Sequence, residues 1–320
     1  MNLSLLPLLI GFCLDLLIGD PHTIPHPVIW IGRLISFLER NLRRIFPKTA
    51  GGETLAGGIL WVITAALSAA VPWMILQICG RIHPVLRIAA ESIMCWQIPA
   101  IRSLRDESMK VYDKLQQGDL PGARKAVSMI VGRDTDALDA PAVTRAAVET
   151  IAENTADGII APFLFMALGG APAGFFYKAV NTMDSMLGYI DPPFTHIGKI
   201  PAKADDIANF IPARLTALLM LFTGWLQGLD IRNGWKIFIR DRYKHASPNS
   251  AQTEAAAAGL LGIRLAGDAW YHGVLHKKQY IGDPLREIEY DDIPRCCRLM
   301  YGTSAVMLAL SCALRILILR

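Results

Sequence analysis

Acidic and amide side chains recur at helical spacing on either side of one apolar stretch of this chain. Glu149, Glu153 and Asp157 follow one another at intervals of four residues, so they share one face of a helix. Asn181 and Asp184 lie beyond the apolar stretch, three residues apart, and share a face in the same way. Carboxylates beside apolar sequence need a partner, water or a cation. Their oxygens suit Mg²⁺ carrying substrate phosphates, although hydrogen bonding between helices would explain the same residues.

The segment between these two polar groups decides whether they can serve one site. Residues 169–174 read GGAPAG, and clusters of Gly and Pro mark turns. A turn there predicts a helical hairpin over 158–188, which returns both polar groups to the same side of a membrane. One continuous crossing would place them on opposite sides. We favour the hairpin, and other helices must then cover the loose backbone groups at its turn.

Further motifs carry arginine, carboxylate and hydroxyl groups suited to a metal–phosphate ligand. Arginine in the turn VGRDT suits a phosphate, and SPN before a helix start suits an anion. Turns, helix caps and interfacial anchors would account for the same motifs. The candidate phosphate- or substrate-binding residues are Arg133, Asp134, Thr135, Asn154, Asn181, Arg214, Ser247 and Asn249. The candidate metal ligands are Asp157, Asp184, Asp205 and Asp206.

Composition places the chain among membrane proteins with sizeable polar loops. Of its 320 residues 52% are hydrophobic and 19% charged, and the mean hydropathy is +0.34. The charged fraction is below the ~25% usual in globular proteins. The net charge of +4 is too small to indicate a nucleic-acid partner. The six cysteines show no CxxC or Cys/His spacing, so neither a disulfide framework nor a zinc site is predicted.

These features predict an all-α fold, a polytopic integral membrane helical bundle with polar helical loops, as one membrane-embedded domain over 1–320. The candidate membrane helices are 3–19, 55–79, 85–101, the hairpin 158–188, 207–226 and 303–319. The polar loops are 20–54, 102–157 and 227–302. Their basic residues place these loops in the cytoplasm by the positive-inside rule. A single crossing by 207–226 would separate the SPNS motif from the acidic motif, so either that helix re-enters or another candidate does not span.

No standard nucleotide or hydrolase motif occurs in the chain. The sequence contains no GxxxxGK[ST], GxGxxG, G-x-S-x-G or HExxH, so any nucleotide is held in another way. Residue chemistry alone therefore indicates a polytopic membrane enzyme or carrier that handles a metal–phosphate species.

Six motifs together give the chain its resemblance to one family. They are GDPHTIPHPVIWIGRLI, VGRDT, ETIAENTADGIIAP, NTMDSMLGY, KADDIANFIPARLTA and SPNSAQTEAAAAGLLGIRLAG. In this order and spacing, from about residue 10 to 285, the chain resembles the CbiB/CobD family, the adenosylcobinamide-phosphate synthases of cobalamin biosynthesis. One departure is Ala-Gln-Thr at 251–253, where many members carry Gly-Trp-Pro.

The resemblance implies an integral enzyme of the cell inner membrane with its site facing the cytoplasm. Its reaction would be the ATP- and Mg²⁺-dependent amide ligation of adenosylcobyric acid with (R)-1-amino-2-propanol or its O-phosphate. The partners it implies are these substrates and membrane lipid. Other membrane enzymes of the cobalamin pathway and a second copy of the chain are further candidate partners. An acyl phosphate and an acyl adenylate are both open as the activated intermediate.

The implied reaction also assigns proton transfer. A carboxylate or a histidine must take a proton from the amine, and the candidates are Glu153, Asp184 and His26. A membrane carrier or binding protein for a corrinoid or another anion is the alternative function. A Mg²⁺-dependent phospho-alcohol transferase is a third, indicated only by acids at the ends of apolar helices.

Overall fold

The computed structural model describes residues 3–21, 23–188, 193–271 and 273–318. Helices dominate this part of the chain, and the predicted all-α class is confirmed. The helices group into two compact units. The first unit comprises Met1–Ala100, Ala161–Asn209 and Leu308–Arg320, and the second comprises Ile101–Ile160 and Phe210–Met307. A single domain over 1–320 stays a prediction.

The first unit is built on a long apolar helix, α3. Its elements are α1 (Leu6–Ile18), α2 (Pro27–Ile45), α3 (Ala50–Ile82), α4 (Pro84–Trp96), α8 (Ala161–Leu187) and α9 (Lys199–Ala208), with a 3-10 turn at Leu3–Leu5. Helix α3 packs against α2, α4, α8 and α9, and α1 packs against α4. Thr49 begins α3, because its side chain accepts a hydrogen bond from the backbone N–H of Gly52.

Helix α8 folds back on itself at Gly169 and Gly170, whose backbone dihedrals are not helical. The ring of Phe165 stacks on that of Tyr177 with 4.9 Å between the centroids. A straight helix would separate residues twelve apart by ~18 Å. The chain therefore reverses within α8, over fewer residues than the predicted turn at 169–174. Pro172 falls just after the break, where the missing N–H costs little.

The second unit surrounds a buried helix, α12. Its elements are α5 (Ile101–Gln116), α6 (Leu120–Ser128), α7 (Ala140–Asn154), a π-helical segment (Thr155–Ile160), α10 (Phe210–Leu226), α11 (Ile231–Asp241) and α12 (Ser250–Leu261). All residues of α12 are buried, because its alanines and Gly259 let α7, α10 and α11 approach closely. The last helix, α13 (Asp292–Ile318), begins in this unit, and its residues from Leu308 count with the first.

The segment after α12 contains strands that the sequence does not predict. They are β1 (Leu265–Ala266), β2 (Ala269–Tyr271), β3 (Val274–His276) and β4 (Tyr280–Ile281). Strands β1 and β4 pair antiparallel, as do β2 and β3. Pairs this short carry too weak a pattern to separate from a loop.

Among the described residues, three helical runs are long and apolar enough to cross a membrane: Ala50–Ile82, Ala140–Leu187 and Asp292–Ile318. The consecutive helices α9 and α10 would make a fourth if they form one span. The chain therefore has the character of a membrane protein. The candidates 3–19 and 85–101 fall on helices of 13 residues, shorter than the ~20 of a full crossing. The candidate 207–226 is interrupted at Asn209, and residue 319 of the last candidate lies outside the described residues.

Candidate functional site

Glu149 of α7 joins two motifs of the second unit. Its side chain is 4% exposed and accepts a hydrogen bond from Nη2 of Arg133. Its other oxygen accepts the backbone N–H of Ala266 at 2.6 Å. Ala266 has a φ of +60°, a conformation that a residue with a side chain rarely adopts. Glu149 therefore orients the predicted phosphate-binding arginine and stabilises the strained start of the β segment.

Glu153, one turn further along α7, reaches the beginning of α12. Its Oε1 accepts a hydrogen bond from Ser250 Oγ at 2.7 Å. The acidic motif and the SPNS motif are thus in contact within this unit. The π-helical segment begins two residues after Glu153 and contains Asp157, and π-helical turns occur frequently at functional sites.

The predicted anion-binding residues before α12 form one network. Nη1 of Arg214 donates to Oδ1 of Asn249 at 3.3 Å and to the carbonyl of Phe210 at 2.7 Å, and the guanidinium lies over the Phe210 ring. The backbone N–H of Asn249 donates to Ser247 Oγ at 3.2 Å. These contacts hold a cation and two polar side chains beside the beginning of a helix.

His245 belongs to this network, although it is not among the sequence candidates. Its Nδ1 accepts the backbone N–H of Ser247 at 3.0 Å. Burial lowers the pKa of His245, while the charges of Glu153 and Glu149 act in the opposite direction. A neutral ring with Nδ1 as acceptor carries its proton on Nε2, so His245 presents an N–H donor.

Glu254 is the second residue that the sequence candidates lack. It lies within α12 and is 4% exposed. Among the described residues, its Oε2 has no hydrogen-bond partner. Burial and the charges of Glu149 and Glu153 raise the pKa of Glu254 well above its ordinary value. A lone acid in an alanine-rich run was the available signal, but the run itself reads as an ordinary exposed helix.

Three further candidates of this unit are Asp134, Thr135 and Asn154. Asp134 accepts the backbone N–H of Gly273 at 2.8 Å, and its own N–H donates to the carbonyl of Trp270, so it connects the VGRDT turn to β2 and β3. Thr135 is buried. The side-chain amide of Asn154 donates to the carbonyl of Thr150 at 3.0 Å.

In the first unit, Asp205 of α9 connects two helices. It accepts hydrogen bonds from the side-chain amides of Asn181 at 3.3 Å and Asn209 at 3.2 Å. Asn209 in turn accepts the hydroxyl proton of Tyr177 at 2.7 Å. Asp206 is the next residue of α9. Asp184 lies one turn after Asn181 on α8.

His26, also in the first unit, occupies the beginning of α2. Its Nδ1 accepts the backbone N–H of Val28, and its Nε2 lies 3.6 Å from Oδ1 of Asp20. Burial lowers the pKa of His26, against the charge of Asp20. Through Nδ1, His26 caps the beginning of α2. Lys178, which the sequence candidates lack, faces the same loop and donates to the carbonyl of Ile98 at 3.1 Å.

The predicted metal ligands are divided between the units: Asp157 belongs to the second, and Asp184, Asp205 and Asp206 belong to the first. Within the described residues, no three His, Cys, Asp or Glu side chains form a metal-binding group. Mg²⁺ commonly takes only one or two protein carboxylates and completes its shell with phosphates and water. Asp205 beside two amide side chains fits that smaller donor set.

Comparisons with known proteins agree over nearly the whole chain. The family model described as "CobD/Cbib protein" matches residues 8–300. "Cobalamin biosynthesis protein CobD" of Pelobacter propionicus is 47% identical over 306 residues, 96% of this chain and 94% of that protein. "Cobalamin biosynthesis protein CbiB" of Salmonella typhimurium is 46% identical over 318 residues, 98% of each. "Cobalamin biosynthesis protein CobD" of Geobacter metallireducens is 46% identical over 298 residues, 93% of this chain and 92% of that protein. No solved structure matches the chain.

Proposed function

Because this chain belongs to the CobD/CbiB family and so has a role in cobalamin biosynthesis, we propose that it is an ATP-dependent amide-forming ligase. Its substrates would be adenosylcobyric acid and (R)-1-amino-2-propanol or its O-phosphate. The product would be adenosylcobinamide or its phosphate, which makes the protein an adenosylcobinamide-phosphate synthase.

The reaction sets requirements that the residues have to meet. A carboxylate and an ammonium do not form an amide at neutral pH, so the carboxylate first needs a leaving group, which ATP supplies as phosphate or AMP. The protein must neutralise phosphate charge, orient the acyl group and take a proton from the amine.

The observation that carries the proposal is the contact between Glu153 and Ser250, which joins the acidic motif to the SPNS motif. Around this contact lie Arg133, paired with Glu149, and His245 with its Nε2 proton. The second unit thus offers a cation, hydrogen-bond donors and carboxylates in a buried setting, which supports phosphate binding and proton transfer together.

We assign phosphate contacts to Arg133 and Arg214, and a donor role toward a phosphate or acyl oxygen to His245. Glu153, Asp184 and His26 are the proposed candidates for proton transfer among the sequence-predicted residues, and His26 also caps α2. Contacts to the remaining groups of the substrates are proposed for Asp134, Thr135, Asn154, Asn181, Ser247 and Asn249.

In the first unit, Mg²⁺ with ATP would fit the oxygens of Asp205, Asn181 and Asn209, with Asp184 and Asp206 as further carboxylates. Asp157 of the second unit is kept as a separate candidate ligand. When bound, the ion would offset the negative charge of the phosphates. The chain's own part is to hold these oxygens in place through the hydrogen bonds between α8 and α9.

We place the protein in the inner membrane with its site on the cytoplasmic side, where ATP is available. Membrane lipid would cover its apolar helices. Other membrane enzymes of the pathway and a second copy of the chain remain candidate partners.

An assay of the purified protein in detergent distinguishes the proposed ligase from a carrier that only binds a corrinoid. A ligase releases phosphate or AMP only when adenosylcobyric acid, the amine and Mg²⁺–ATP are all present, and it forms one amide per ATP consumed. A carrier binds the corrinoid without consuming ATP. Corrinoid binding with no amine-dependent release of phosphate or AMP would exclude the ligase.

A further inference from the structure

Glu254 presents a buried carboxyl oxygen that no described residue satisfies. The residue is 4% exposed within a helix whose residues are all buried, and its Oε2 has no hydrogen-bond partner in the described part of the chain. Buried polar atoms are nearly always hydrogen-bonded, so an exception calls for an explanation. A ligand group that donates to Oε2 would supply one.

The surrounding charges indicate the kind of group that is missing. Glu149 and Glu153 of α7, Arg133 of the VGRDT turn and Lys278 before β4 all lie close enough to act on Glu254. If all are ionised, three carboxylates face two cations. One further positive charge, supplied by a ligand, would make this cluster of five side chains neutral.

The other members of this group are already engaged. Glu149 accepts two hydrogen bonds, from Arg133 and from the backbone of Ala266. Glu153 accepts the Ser250 hydroxyl, and Lys278 donates to the hydroxyl of Tyr271 at 2.7 Å. His245, with Nδ1 occupied, offers a donor. Glu254 therefore has the capacity to accept a proton or a hydrogen bond from a ligand.

We propose that Glu254 binds the ammonium group of the amine substrate and accepts its proton before the amine attacks. This role rests on the amide ligation proposed above. The ammonium transfers one proton to the Glu254 carboxylate and becomes a neutral amine. The amine lone pair then forms the C–N bond to the activated acyl carbon, the C–O bond to phosphate or AMP breaks, and that leaving group departs with the electron pair. The second nitrogen proton passes to an oxygen of the leaving group.

The environment of Glu254 suits both steps. Burial and the neighbouring glutamates raise its pKa, which brings its proton affinity nearer to that of an amine. An entering ammonium adds the cation that favours the ionised carboxylate. Once the proton has moved, the neutral carboxyl group is well suited to its buried position.

Glu254→Gln tests the role, because it keeps the shape and removes the proton acceptor. Two amines are compared in the same assay: aminopropanol and hydroxylamine. Hydroxylamine is largely unprotonated at neutral pH and needs no base, so it reports carboxylate activation alone as a corrinoid hydroxamate. Glu287→Gln, an exposed position, is the matched control.

We expect Glu254→Gln to lower ligation of aminopropanol by about 100-fold or more. Hydroxamate formation should stay within about threefold of the wild type, and the thermal midpoint in detergent should not fall. The acidic limb of the pH profile for aminopropanol should also disappear. Glu287→Gln should match the wild type with both amines.

Equal effects of Glu254→Gln on the two amines, whether none or a common loss, would overturn the role of Glu254. A wild type that forms neither amide nor hydroxamate would remove the proposed ligation and this role together. If Glu254→Gln does not fold, Glu254→Asp keeps the carboxylate but shortens it. It should slow aminopropanol more than hydroxylamine, and equal slowing would again overturn the role.

Discussion

The buried carboxylates of the second unit differ in how fully they are satisfied. Glu149 has a partner on each oxygen, Glu153 accepts a serine hydroxyl, and Oε2 of Glu254 has no partner among the described residues. A fully paired carboxylate is suited to hold structure, because its lone pairs are used. A carboxylate with an unused oxygen retains the capacity to bind a ligand or a proton. We therefore assign Glu149 to positioning and Glu254 to the substrate.

Glu149→Gln should lower the free energy of unfolding and weaken ATP binding together. The change leaves Arg133 without its buried partner, and losing one member of such a pair costs about 3 kcal/mol. Unfolding in mixed detergent micelles measures the first effect and equilibrium binding of ATP the second. Glu107→Gln breaks only an exposed pair with Lys110 and should cost less than about 1 kcal/mol. An unchanged unfolding free energy in Glu149→Gln would contradict the positioning role.

The raised pKa of Glu254 makes stability depend on pH with a definite sign. In the folded protein the carboxyl keeps its proton at a pH where the unfolded chain has already lost it. The folded state then binds more protons, so stability falls as pH rises from the ordinary glutamate pKa, ~4.3, toward the folded value. The thermal midpoint of the wild type should therefore decline over this window more steeply than that of Glu254→Gln. If the thermal midpoints of the two proteins changed with pH in parallel, the pKa of Glu254 would not be raised in the folded protein.

The sequence names Arg133, Glu153, Ser247 and Asn249 because each belongs to a polar motif beside an apolar run. It does not single out Glu254 or His245. Their significance depends on burial and on the carboxylates of Glu149 and Glu153, which lie more than 90 residues away along the chain. The spacing of residues within one helix reveals neither the burial of a side chain nor its neighbours from remote parts of the chain.

At the scale of the element, the reversal inside α8 depends on a charged pair. Nη1 of Arg315 donates to the carbonyl of Met166 at 3.0 Å, just before the break. Nη2 of the same arginine lies 3.6 Å from the carboxylate of buried Glu91. A backbone carbonyl that loses its helical hydrogen bond at a break is costly in an apolar environment. Arg315 supplies a hydrogen bond to one such carbonyl here. The turn is therefore held by side chains from α4 and α13.

Gly170→Ala should destabilise the first unit. Gly170 has φ +68° and ψ −163°, a region almost exclusive to glycine, and an added Cβ would lie 2.5 Å from Oε1 of Glu91. The strain alone is worth about 1–3 kcal/mol. Gly51→Ala in α3 is the matched control, because its Cβ would meet nothing within 4 Å, and it should stabilise by up to ~1 kcal/mol. The measurement is the free energy of unfolding. Equal values for Gly170→Ala and Gly51→Ala would contradict the tight turn at Gly170.

Elements with strong local signals could be predicted, and those set by tertiary contacts could not. Asp139 before Ala-Pro predicts the start of α7, and its side chain does accept the backbone N–H of Ala142. The interruption at Asn209 has no such signal. Its side chain bonds both Tyr177 and Asp205, and Tyr177 is remote in sequence.

At the scale of the molecule, apolar side chains on the outside of long helices are the main evidence for a lipid environment. Helix α3 leaves Val62, Trp73 and Ile78 more than half exposed. Exposing so many apolar side chains to water is unfavourable, so this face of the helix is suited to contact with the hydrocarbon of a lipid bilayer. By the positive-inside rule, we propose that the basic loops lie in the cytoplasm.

Met129→Cys tests this orientation directly. Met129 follows α6 in a basic loop and is 75% exposed, so a thiol there is accessible. In a background lacking the native Cys13, Cys79, Cys95, Cys296, Cys297 and Cys312, an impermeant thiol reagent should fail to label it in intact cells. Permeabilised cells supply the control and should give full labelling. Equal labelling of intact cells would place this loop outside and contradict a cytoplasmic site.

The central claim, that ATP activates a corrinoid carboxylate for attack by an amine, is tested most directly by following the carboxylate oxygen. Adenosylcobyric acid labelled with ¹⁸O in the reacting carboxylate is incubated with the purified protein, Mg²⁺–ATP and aminopropanol, and the products are analysed by mass spectrometry. We expect one ¹⁸O atom in phosphate or in AMP for each amide formed, and the product that carries the label identifies the intermediate. Amide formation with no ¹⁸O in either product, or no amide at all, would contradict the claim.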